Sequence, residues 1–421
     1  MPKQKKRNNK RYFKTTHHSG NSAVTSGKSR MTLSQIILFL FIFLLPTQLG
    51  KHFFFPFSYL SGVRVDYLAP TLYLTDLLVA ALVLFNIKHL VSFFKQNKIL
   101  VFVLLLLGAH TLFAISWEVA LYRYVKILEI ILVFALFKNK VFDFKPIASG
   151  FFWGTLFQTI LVILQFVNKH ALQGFFYFFG ERDVALSMPG IAKAAIGGIE
   201  FLRPYGTFSH PNSMAGFYLL LYTFFLTNKK PQANPFVKNS VLFLSSFLIL
   251  FSFSKVAVLA YILINIVYLL KKADFSCIPC LISRLALFAF FALFIFSSKT
   301  DPLSLKKRID LFSVAWQTFL AHPFSGVGLG NSLIAQSKSA LPYLIVSPQP
   351  VHNIFLLFLA ETGIIAGALT LFFLIKYAVA RLKNFSFFLC LLAVFVSGMF
   401  DHYWFTLQQN TLLLGVVFGL L

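Results

Sequence analysis

Three stretches of this chain carry residues capable of acid–base or anion chemistry, two of them at the start of an apolar run and one in a long loop. The first reads Arg203-Pro-Tyr-Gly-Thr-Phe-Ser-His210-Pro-Asn212. Pro211 suits the first turn of a helix, where its missing N–H would be unpaired anyway. Ser209 or His210 is then the expected cap. The free N–H groups and positive dipole end of such a helix attract phosphate. Arg203, just upstream, carries a planar fork that can hold two phosphate oxygens at once. The same residues also fit an ordinary capped helix start with an interfacial arginine.

The second stretch is Val351-His352-Asn353, followed by Ile-Phe-Leu-Leu-Phe-Leu-Ala-Glu361-Thr-Gly363. A neutral imidazole at a membrane edge can serve as a general base, because it titrates near working pH. A capping histidine is the bland alternative. Position 363 lies eleven residues after His352, so on a continuous helix the two share a face to within about 20°. Gly363 and Gly367 form a small-residue pair that would let another helix approach.

The third stretch carries Lys306-Lys307-Arg308-Ile-Asp310, then His322-Pro-Phe-Ser-Gly326-Val-Gly328-Leu-Gly330-Asn331. The glycines match neither a Walker loop nor a dinucleotide fingerprint. They read as a turn-rich loop over the membrane surface, and the basic cluster as a headgroup contact or a solvated patch. Asp76, Arg123, Lys126, Glu129, Lys255 and Glu361 sit at or inside apolar runs. Ionisable groups there are costly and mark function by default. Glu361 needs a partner, whereas Lys126 reads best as snorkelling to the interface.

The elements that must carry these residues are apolar spans. A bilayer needs about 20 apolar residues per span. Runs of that kind fall near 32–50, 69–87, 99–116, 120–137, 146–167, 212–228, 239–253, 256–270, 285–298, 353–375, 385–400 and 405–421. The reading is an all-α polytopic membrane protein of about twelve transmembrane helices, in one domain over 32–421. Lys255 splits the 239–270 stretch into two. Residues 1–31 form a basic tail expected to be disordered and cytoplasmic. Nine Lys/Arg and no acid occur in residues 1–30, and five short loops carry three Lys/Arg each. The positive-inside rule therefore puts both termini in the cytoplasm. Two longer segments, 168–211 and 299–352, then face outward, the larger between helices 9 and 10. Long loops between spans usually carry function.

Composition agrees. Hydrophobic residues make up 58% of the 421 residues, charged residues 12%, and the mean hydropathy is +0.76. A soluble domain carries roughly 25% charged residues. The net charge of +25 does not signal nucleic-acid binding, because the basic residues sit in the tail and between spans as topology signals. Cys277-Ile-Pro-Cys280 has no second pair to complete a zinc site, and with Cys390 it reads as packing.

The order R-P-Y-G-T-F-x-H-P-N, then K-R-x-D…H-P-F-S-G-V-G-L-G-N, then H-N-I-F-L-x-x-x-x-E-x-G-I-I-A-G resembles the bacterial O-antigen ligase and polymerase family over roughly residues 33–421. The resemblance implies a metal-independent, inverting glycosyltransferase of the bacterial cytoplasmic (inner) membrane, active on its outer, periplasmic face. Such an enzyme moves a glycan from undecaprenyl diphosphate to a hydroxyl of a glycan, lipid or protein acceptor, and it needs no cofactor. His352 would activate the acceptor. Arg203 and Arg308 would hold the diphosphate, with Arg123 as a third cation and Lys255 where the family often has arginine. His210, Asn212, Asn353 and Glu361 would support them. Ala366 also departs from the ligase pattern. The alternatives are a flippase or transporter for a lipid-linked saccharide, which should show related halves, and a non-catalytic envelope scaffold. No internal repeat is visible.

Overall fold

The computed structural model describes residues 31–138, 142–228, 234–272, 302–339 and 348–421, with four isolated positions between 289 and 297. The expectations for the basic tail, for Cys277 and Cys280, and for most of the span at 285–298 lie outside the described residues.

Over Leu33–Leu421 the chain is mostly helical. In chain order the helices are α1 (Leu33–Leu44), α2 (Leu74–Phe85), α3 (Ile87–Gln96), α4 (Lys98–His110), α5 (Trp117–Lys138), α6 (Phe144–Asn168), α7 (Pro211–Thr227), α8 (Pro235–Phe251), α9 (Lys255–Lys272), α10 (Pro302–Ala321), α11 (Ser332–Gln336), α12 (Ile354–Val379), α13 (Phe385–Gly398), α14 (Tyr403–Thr406) and α15 (Gln408–Leu420). Among the described residues three small antiparallel pairs lie between helices, including Lys193–Ile196 with Ile199–Leu202.

Helix α7 is the centre of the bundle. From Ser213 to Phe225 every residue is buried, as expected of a helix apolar all round. It packs on α8, α9, α13 and α15, while α15 also runs along α5 and α1 along α6. The outside of the bundle is oily: Leu84, Phe113, Val167, Phe236 and Phe243 are each at least 69% exposed. Apolar exposure on this scale fits a lipid-facing surface.

Among the described residues, α6 and α12 are long and apolar enough to cross a membrane, and α2 with α3, bent by 82°, make a third if read as one broken span. Several expected spans are helical over only part of their length. The 32–50 run leaves the helix after Leu44, and 69–87 begins as extended chain before α2. Apolar composition marked these runs, but it does not say where the backbone stays helical. The split at Lys255 is present: Ser252–Ser254 separates α8 from α9, with Phe253 at φ 52°.

Helix α12 is broken at Gly363, which has φ 64° and ψ −173°. The shared helical face expected for His352 and Gly363 therefore does not exist, and His352 itself precedes the helix. The glycine turn after α10 fills the break. Val327 and Gly328 donate backbone N–H groups to Ala360 O and Glu361 O at 3.0 and 2.9 Å, and Ile364 and Ile365 donate to Pro323 O and Phe324 O at 2.8 and 3.2 Å. Four backbone groups orphaned by the break thus find partners, as buried backbone requires. Any side chain at 363 would meet the backbone of Gly326 and Phe324 and hold a strained φ. Gly363→Ala is expected to lower the melting temperature in detergent by several degrees, on the order of 1–3 kcal/mol. An unchanged unfolding curve would show that the two segments are not locked together.

Candidate active site

Asn212 lies in the first turn of α7, just inside its cap. His210 is the N-cap: its Nδ1 accepts from Asn212 N at 3.0 Å, with Pro211 in the first turn. Ser213 N and Met214 N donate to His210 O. The first N–H groups of α7 are therefore spent within the chain, and so is the anion site expected at that helix end. The same holds at α12, where Asn353 Oδ1 accepts from Phe355 N and Leu356 N.

The Asn212 side chain instead works as a relay. Its Oδ1 accepts from an Nη of Arg203 at 2.6 Å, and its Nδ2 donates to Asp401 Oδ2 at 3.0 Å. Asp401 Oδ1 accepts from His402 N at 2.9 Å and lies 3.4 Å from His352 Nδ1. A continuous line of polar contacts therefore joins Arg203, Asn212, Asp401 and His352. Arg203 also donates from Nε to Ser252 O at 2.8 Å, so part of its fork is turned on the protein.

The loop that holds Arg203 is clamped from below. Gln165 Oε1 accepts from Tyr205 N and Gly206 N, and Gln158 Oε1 accepts from Thr207 N. Glu181 fixes Gln165 by accepting from its Nε2 at 2.7 Å. These buried amides hold the backbone in one conformation, since leaving them unpaired would be costly.

The other expected residues divide. Arg308, half-buried on α10, donates to Phe400 O at 3.3 Å, one residue from Asp401. Asn353 Nδ2 donates to Met399 O at 3.1 Å, tying the start of α12 to the same turn. Lys255 opens α9, three residues after Ser252. Arg123 reaches Thr406 O and Tyr67 O at 3.3 and 3.1 Å. Glu361 accepts from Gly330 N and Ser332 Oγ, both at 2.8 Å, so it secures the glycine turn and does not face His352 through any contact. Lys126 does not snorkel. It pairs with Asp76 at 2.6 Å and Glu129 at 3.2 Å, and Gln408 donates to both carboxylates.

Sequence reasoning missed Asp401 and His402. A useful signal was an acid–histidine pair in the short Phe-Asp-His-Tyr turn between two apolar runs. Burial on its own would raise the Asp401 carboxyl; His352, by charge and hydrogen bond, and then His402 and His210, pull it well below the usual carboxylate range. Burial pushes the His402 imidazole down from 6.5 to about 3. In the unfolded chain that imidazole takes up its proton near 6.5. The folded state, which refuses the proton, is expected to lose stability as pH falls from about 6.5 toward 3 and to gain nothing above it. Asp401 adds a loss of the same sign below its unfolded value. Melting curves from pH 7 to pH 5 in chelator-treated buffer should show a falling midpoint; a flat profile would contradict the neutral imidazole.

No metal was expected from the sequence, yet His352, Asp401 and His402 offer one ligand atom each within 4.8 Å of one another.

Residues 240–371 match the family model described as O-antigen ligase, a segment that includes Lys255, Arg308, His352, Asn353 and Glu361. No curated protein matches the chain.

Proposed function

We propose, from the O-antigen ligase and polymerase family whose model this chain matches, that the protein is a membrane glycosyltransferase that moves a glycan from undecaprenyl diphosphate to an acceptor hydroxyl at the outer face of the bacterial cytoplasmic membrane. The observation that carries the reading is the line from Arg203 through Asn212 and Asp401 to His352. It couples a cation suited to a diphosphate with an imidazole suited to an acceptor. A Ser-His-Asp site uses a carboxylate behind histidine in the same way.

Asp401 receives the Nδ1–H of His352, which leaves the Nε2 lone pair for the acceptor. The acceptor O–H gives its proton to Nε2 as its oxygen attacks the anomeric carbon. The bond from that carbon to the diphosphate oxygen breaks, with inversion, and the diphosphate leaves on its lipid. Arg308 and the remaining donors of Arg203 offset the charge on the leaving group, with Lys255, three residues after the Ser252 that Arg203 holds, and Arg123 as further cations. Positive charge from arginine makes a metal unnecessary for this step. About twelve spans with both termini cytoplasmic would present the site outward.

Proteoliposomes holding the purified protein, an undecaprenyl-diphosphate glycan and an acceptor test this reading. Accumulation of glycosylated acceptor with release of undecaprenyl diphosphate is expected. Movement of the intact lipid-linked glycan across the bilayer without bond cleavage would instead establish a flippase.

A further inference from the structure

The turn that carries Asp401 brings the ring nitrogens of two histidines up to one carboxylate oxygen. Thr406 Oγ1 donates to His402 O at 3.1 Å and lies 2.7 Å from His402 Nδ1. With its hydrogen on the carbonyl, the hydroxyl can accept from Nδ1–H. In that tautomer Nε2 is unprotonated and free to bind a metal. Nε2 lies 4.0 Å from Asp401 Oδ1, an ionised oxygen. In the tautomer with the proton on Nδ1 the two atoms face one another as acceptors, and a bridging cation relieves their repulsion. His352 Nδ1 approaches the same oxygen from another side at 3.4 Å, and the two imidazole rings lie 5.2 Å apart.

We propose that His352 Nδ1, His402 Nε2 and Asp401 Oδ1 form a binding site for one Zn²⁺ ion, and that its occupancy switches the protein off. Two nitrogens and one carboxylate oxygen make a common zinc ligand set, with a fourth position left for water. Zinc bonds of about 2.0–2.1 Å imply tetrahedral edges of roughly 3.3–3.5 Å. The His352–Asp401 edge already has that length, 3.4 Å. The His402–Asp401 edge, 4.0 Å, needs to close by about half an ångström, and the edge between the two histidine nitrogens, within 4.8 Å, by up to about 1.4 Å. Partners behind the ligands are in place: Thr406 orients His402, and Asn212 Nδ2 holds the other oxygen of Asp401 at 3.0 Å. Such partners normally fix ligand orientation in metal sites. Arg203 interacts electrostatically with Asp401 and Arg308 with His402, and both charges weaken binding of a cation there.

The switch follows from the imidazole's two nitrogens. A neutral His352 that binds metal through Nδ1 carries its proton on Nε2. Nε2 then has no lone pair for an acceptor hydroxyl. The proton moves from one nitrogen to the other, and none is lost. This second half of the proposal rests on His352 being the general base; the binding half does not.

The test uses the full chain in chelator-treated detergent, with Cys277 and Cys280 replaced by serine so that the Cys-Ile-Pro-Cys pair contributes nothing. Calorimetric titration with Zn²⁺ should give one ion per chain, and Co²⁺ should give a tetrahedral ligand-field band. His402→Gln and Asp401→Asn should each weaken Zn²⁺ binding by at least about 10-fold. His402→Cys should keep the site and add a thiolate-to-cobalt charge-transfer band, which separates loss of a ligand from loss of the fold. No binding, binding indifferent to His402→Gln and Asp401→Asn, or His402→Cys without the thiolate band overturns the proposal. With the site established, glycan transfer should fall in step with zinc occupancy and recover on chelation. Transfer that persists at full occupancy overturns the switch and leaves the metal site standing. If no transfer occurs even without zinc, the proposed function fails separately, because the binding measurements do not depend on it.

Discussion

His352→Ala is expected to abolish measurable glycan transfer while the protein still folds and still binds the lipid donor. The imidazole sits ahead of the Asn353 cap, outside the helix, and is mostly shielded from solvent. Its removal therefore leaves α12 and its cap intact. What is lost is proton removal from the acceptor in the transition state, worth about 10²–10⁴ in rate. Arg203 and Arg308 remain, so donor binding should change little. Initial rates at saturating donor, alongside donor binding, separate the two. A variant that keeps more than a tenth of the rate would remove His352 from the role of base.

Asp401→Asn is expected to cost nearly as much, although it changes one atom. The carboxylate accepts from His402 N and faces His352 Nδ1 through Oδ1, and it accepts from Asn212 through Oδ2. An amide cannot accept on both sides. If its NH₂ faces His352, the imidazole must turn its lone pair to Nδ1 and carry its proton on Nε2. If the NH₂ faces Asn212, that side chain must flip and present its own NH₂ to Arg203. The first route disables the base and the second breaks the link to the cation. A loss of about 10²–10⁴ in kcat follows, with a smaller change in donor KM. The exchange Asp401→Asn with Asn212→Asp restores one carboxylate and one amide in the relay and should recover part of the rate. Failure to recover any would mean that the charge must sit at 401 itself. Combined with His352→Ala, Asp401→Asn should add almost nothing, because residues that act as a unit are not additive.

The parts of this arrangement that are local in sequence were readable in advance. The cap at His210-Pro211 follows from proline geometry and lies within three residues. The need of Glu361 for a partner was readable from its depth in an apolar run, but not the partner. Gly330 and Ser332 are about thirty residues away, on a turn with no periodicity to give its course. Lys126 was misread for the same reason. Helical spacing puts it near Glu129 on its own helix, but nothing local brings Asp76 and Gln408 to meet them. Asp401 escaped notice because its turn has no motif spacing, and its role depends on Asn212, 189 residues earlier. The span count was set by composition, and helix length then departed from it at kinks that turns and caps decide.

The break at Gly363 has a consequence for how this protein can change. The glycine turn and the two halves of α12 complete each other's backbone, so neither has a finished structure alone. While the chain is being synthesised, the turn emerges first and must wait for the segment that satisfies it. Over evolution the two stretches form one heritable unit. A graft between relatives that moves residues 322–332 without 360–365 would pair mismatched halves, while moving both together keeps the seam closed.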